Sequence, residues 1–135
     1  MKIKILAVAA TAFLHLKGPD GSFLYENGEP VGIDLFGPGS QEFAQVEERQ
    51  SARALQRMQD NDGKVALAPI AQRRAEEAED LAALTARFHH IEVDDLAGSA
   101  LHHAVYADPT LGWIKAQAGK FVGDWGKFSA GSTTS

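Results

Sequence analysis

The chain has no cysteine. That excludes disulfides, thiolate zinc sites and cysteine nucleophiles, and it suits a reducing compartment. No apolar run approaches the roughly 20 residues that a membrane-spanning helix needs. Positive charge is also scarce: 13 Lys and Arg stand against 18 Asp and Glu, a net charge of −5. A general nucleic-acid binder, whose affinity rests on neutralising phosphates, is not expected from that balance. Also missing are a His-Glu-x-x-His pair, a Walker lysine, Gly-x-Gly-x-x-Gly spacing and any serine in a nucleophile elbow. What remains is 135 residues, 44% hydrophobic and 23% charged, an ordinary composition for one globular domain.

The most organised stretch is Asp108 to Phe128. Asp108 is placed to cap a helix and Pro109 fits its first position. Leu111, Ile114, Ala118, Phe121, Val122, Trp125 and Phe128 then recur at steps of three and four, one face of a helix. Trp113 widens that face, and Lys115, Gln117, Lys120, Asp124 and Lys127 lie opposite. Gly112, Gly119, Gly123 and Gly126 each weaken a helix by about 1 kcal/mol relative to alanine, so packing must hold it. One role for such a helix is to close the chain's own core. The other is to dock part of its aromatic face, Trp113, Phe121, Trp125 and Phe128, on a partner protein.

Residues 2–36 read as a small antiparallel hairpin or meander. Gly18-Pro19-Asp20-Gly21 is a strong turn, Asn27-Gly28 favours a type I′ hairpin, and Val31, Ile33 and Leu35 alternate. Met1 to Leu14 has the charge and apolar character of a weak signal peptide, with Ala10-Thr11-Ala12 as its cleavage pattern. The apolar run continues into Leu16, however, which favours a strand. Residues 40–128 read as helical. Ser40 caps a helix to about Asp60, and a second spans Pro69 to Phe88, with Arg73, Arg74, Glu76, Glu77, Glu79 and Asp80 on its solvated side. Ser99 caps a third helix, Ala100 to Ala107. The expectation is an α+β single domain over 1–128, with a disordered tail at 129–135.

The best candidate for metal-ligand chemistry is His89-His90 with Glu92, Asp94 and Asp95, plus His102-His103. Adjacent histidines on a helix point about 100° apart, so each pair offers one inward ring, and the spacing fits no metal motif. No metal, no cofactor and no enzyme activity are expected; a metal-dependent enzyme built on these pairs is the weakest alternative.

Leu14 to Lys17, Asp20-Gly21, Leu24 to Val31 and Ile33 to Ser40, including Gly37-Pro38-Gly39-Ser40, resemble the N-terminal half of tail assembly chaperones of long-tailed bacteriophages. Val105 to Pro109, Trp113-Ile114 and Asp124 to Phe128 resemble the end of those proteins, so the likeness spans about Phe13 to Phe128. It implies a protein of a siphovirus or prophage that binds the tape measure protein in the host cytoplasm. Such a protein keeps the tape measure from aggregating, recruits tail tube protein and is absent from the mature virion. A homo-oligomer is compatible with that role; no membrane or nucleic acid is implied. The alternative of another class is a structural virion component such as a tail terminator or head–tail connector.

Overall fold

The computed structural model describes residues 1–129. Five strands and four α-helices follow one another as β1 (Thr11–His15), β2 (Tyr25–Glu26), β3 (Glu29–Pro30), β4 (Gly32–Phe36), α1 (Gln41–Asp60), α2 (Ile70–Ala83), β5 (Thr85–His89), α3 (Gly98–Ala107) and α4 (Gly112–Val122). The fold is α+β, with strands mostly early in the chain and helices later.

The sheet is antiparallel in the order β1-β4-β5. Strand β1 pairs with β4 from Thr11↔Phe36 to His15↔Gly32. Strand β5 closes the far side, with Ile33↔Phe88 and, after a register shift, Leu35↔Thr85. Strands β2 and β3 form a separate short hairpin. Its turn has Asn27 at φ 51 and Gly28 at φ 80, the pair of positive φ angles that a type I′ turn requires.

Four sequence expectations change here. The first ten residues are not strand: Ile3–Leu6 is an exposed 3-10 turn, and β1 begins at Thr11. The helix expected to reach Phe88 ends at Ala83, and Thr85 to His89 turns into the sheet. Leu81, Leu84, Thr85 and Phe88 do satisfy helical spacing, but Thr85 to His89 pairs with the open edge of β4. Ser99 lies inside the first turn of α3, which begins at Gly98 without a side-chain cap. The long C-terminal helix is three pieces: a 3-10 turn at Pro109–Leu111, α4, and a second 3-10 turn at Trp125–Phe128. The break falls at Gly123, one of the weakening glycines. The expected disordered tail, apart from Ser129, lies outside the described residues.

Ser40 caps α1 as read, whereas Asp108 caps only the 3-10 turn at Pro109–Leu111 and α4 itself has no side-chain cap. Ser40 Oγ accepts from the Phe43 amide at 3.1 Å, and Asp108 Oδ1 accepts from Thr110 N at 2.9 Å. The core joins Leu14, Leu16, Ile33 and Leu35 of the sheet region to Leu81 and Leu84, Val105 and Tyr106, and Ile114, Ala118 and Phe121. The C-terminal 3-10 turn places Phe128 at 0% exposure, edge-on to Phe121 with ring centroids 5.2 Å apart. A β-carbon on Gly37 would run into the Phe128 ring. Gly37→Ala should therefore overpack this corner and destabilise by about 1–3 kcal/mol, measured as a lower urea midpoint. An unchanged midpoint would mean that Phe128 has room to move.

Candidate functional site

Helix α1 is 20 residues long, yet Val46 is its only fully buried residue. It is attached to α2 by charge. Arg49, Arg53 and Arg57 recur every four residues and so share one face. Arg49 Nη2 and Arg53 Nη1 donate to the Asp80 carboxylate at 3.0 and 2.9 Å, and Gln50 Nε2 adds a third bond at 3.1 Å. Arg57 pairs with Glu76 further along. As the number rises on α1 it falls on α2, so the two helices form an antiparallel arm. Burial by itself pushes the Asp80 carboxyl up, but its bonds from Arg53, Gln50 and Arg49 outweigh that and hold it below the usual carboxylate range. The bond from Arg57 lowers Glu76 as well. Asp80, expected on the solvated side, is buried at the arm's centre.

The arm's end carries apolar residues that the core does not use. Val65 and Leu67, in the link between the helices, are 84% and 83% exposed; Ile70, at the start of α2, and Leu55, on α1, are more than half exposed. At the arm's base, a groove of about 450 Å³ runs between α1, α2 and α4. Phe43, Val46, Leu81, Leu84 and Val122 supply its apolar lining, and Lys115, held to Glu77 at 2.7 Å, stands on its rim. Ala116 and Gly119 leave the α4 wall low. The apolar floor with a charged rim has the chemistry of a surface that receives a protein segment.

The four aromatics expected to form a docking face are divided by the fold. Phe121 and Phe128 are buried in the core, while Trp113 is half-buried against it. Trp125 is 58% exposed, on the C-terminal 3-10 turn beside Gly39. The exposed apolar surface of the arm escaped the sequence reading, because a connecting link has no periodicity to mark it. The arginine ladder did have a signal, in the four-residue spacing of Arg49, Arg53 and Arg57.

The histidines are dispersed. His89 Nε2 lies 2.8 Å from Asp34 Oδ2, and His90 Nε2 lies 3.0 Å from Glu29 Oε2. His102 packs on the Phe88 ring at 4.5 Å between centroids, and burial lowers its pKa. Among the described residues, no three His, Asp or Glu side chains come together as a metal site. No described helix is long and apolar enough to cross a membrane. No family model, curated protein or solved structure matches the chain.

Proposed function

We propose that this chain is a tail assembly chaperone of a long-tailed bacteriophage, acting in the host cytoplasm without catalysis. It binds the tape measure protein, helps recruit tail tube subunits and leaves before the virion is complete. The observation that carries this reading is apolar surface that the fold leaves exposed on the α1–α2 arm: Leu55, Val65, Leu67 and Ile70, on two helices held to each other largely by ion pairs. Exposed apolar patches larger than scattered single side chains mark protein-binding surfaces. Helix α1, with Val46 as its one buried residue, is the less firmly packed of the two helices and suits a contact that must be released. Trp125 offers a second contact on the body.

Co-expression with the tape measure protein of the same phage tests the proposal. The expected result is a soluble tape measure that co-purifies with this chain, and loss of both with Val65→Asp/Leu67→Asp. Both of those residues face solvent, so the variant should keep its wild-type melting temperature. A tape measure that stays insoluble and unbound beside the folded wild-type chain would overturn the reading. Recovery of the chain from purified virions by mass spectrometry would instead support a tail terminator or head–tail connector.

A further inference from the structure

A second cleft lies on the body, between β1 and the C-terminal segment, with a volume of about 260 Å³. Leu14 and Phe121 supply its apolar floor, and Lys17, Lys120 and Lys127 line it together with one acid, Asp124. We infer that this cleft binds a compact, doubly charged oxyanion: inorganic phosphate or the head of a small phosphate monoester.

The first ground is charge. Arg49, Arg53, Arg57, Arg87 and Lys115 each lie within ion-pair distance of a carboxylate. Among the described residues, the other eight of the 13 Lys and Arg have no carboxylate at that distance, and three of those eight are Lys17, Lys120 and Lys127. These three line one cleft of a protein whose net charge is −5. The Asp124 carboxylate is already engaged, accepting from the Gly126 amide at 3.0 Å. Three lysines against one aspartate give the lining an excess of two positive charges, which matches a phosphate near neutral pH.

The second ground is rigidity. Gln117 Oε1 accepts from Lys17 N at 2.9 Å, and its Nε2 donates to Lys17 O at 2.7 Å. This double bond clasp fixes β1's continuation to α4. The Lys17 ammonium stands 5.0 Å from the centre of the Phe23 ring, which stacks on His15, another cleft residue. Two sides of the cleft are therefore held in place before any ligand arrives, which lowers the entropy lost on binding. The cleft's size limits the ligand to a small one, and lysine ammonium groups bind phosphate as point charges.

The test is a backbone-amide NMR titration of the full chain with sodium phosphate, with sodium chloride holding ionic strength constant. Saturable shifts at Lys17, Gln117, Lys120 and Lys127 are expected. Lys120→Gln/Lys127→Gln should weaken binding by about tenfold or more, since it removes two charge-assisted contacts. Lys120→Arg/Lys127→Arg should retain binding, which separates charge from fold. A parallel titration with glycerol 3-phosphate distinguishes the ester from the free ion; saturation by either supports the site. Shifts that rise without saturating for both ligands, or that are equal in the glutamine variant, would overturn it.

Discussion

Replacing Phe128 with alanine is expected to destabilise the fold by about 3–5 kcal/mol, as for other buried phenylalanines. The ring has no exposed surface, meets Phe121 edge-on and fills the space over Gly37. The surroundings have little means of closing the hole, because the turn is also pinned by its backbone: the Phe128 carbonyl accepts from Ala9 N at 2.8 Å. The neighbouring Trp125→Ala should behave in the opposite way. Its ring is more exposed than buried, and its loss should leave stability within about 0.5 kcal/mol of wild type while weakening partner binding. Urea unfolding of both variants, set beside co-purification with the tape measure protein, separates the two roles. A Phe128→Ala variant as stable as wild type would show that the C-terminal 3-10 turn is not part of the core. Trp125→Ala with unimpaired binding would confine the proposed contact to the arm.

The C-terminal segment shows how far periodicity reaches. From Ile114 to Val122 the apolar residues at helical spacing are buried on one side of α4, but past the break at Gly123 only Phe128 continues that side, while Trp125 is exposed. The pattern therefore locates the buried face without locating the break. It also cannot rank the aromatics, since the fold buries Phe128 fully and leaves Trp125 at the edge. Ser40 and Asp108 were legible because a cap is local chemistry, and Asn27-Gly28 because a turn is too. Strand β5 was not, since the favourable pairing of Thr85 to His89 comes from residues 32–36, far back in the chain. The arm's exposed apolar surface has the same difficulty in reverse: Val65 and Leu67 look like ordinary core residues until the fold leaves them outside.

Removing the Asp80 carboxylate should destabilise by about 3–5 kcal/mol, the usual consequence of breaking a buried ion pair on one side only. Asp80→Ala would leave the Arg49 and Arg53 guanidinium groups and the Gln50 amide without their shared acceptor. Arg53 is well covered, so water recovers only part of the loss; Arg49 is more open, and Glu79 lies close enough to take some of the charge. Those two features favour the lower end of the range. The effect should depend on pH with a definite sign. A carboxyl held down in the fold contributes stability that is fully present above its unfolded value of about 4, and it drains away as pH falls through the lower folded value. Wild type should therefore lose stability below about pH 4, where the Asp80 and Glu76 bonds to α1 are titrated, and the gap to Asp80→Ala should narrow there. His102 adds a separate loss at milder acidity. Burial against Phe88 favours its neutral form, so the contribution is present above the ordinary histidine value of about 6.5 and falls as the pH drops below it. Urea midpoints from pH 8 to pH 3 for wild type, Asp80→Ala and His102→Gln would resolve the two losses. A loss under about 1 kcal/mol for Asp80→Ala at pH 7, the scale of a solvated surface pair, would show that the arginine ladder does not hold the arm.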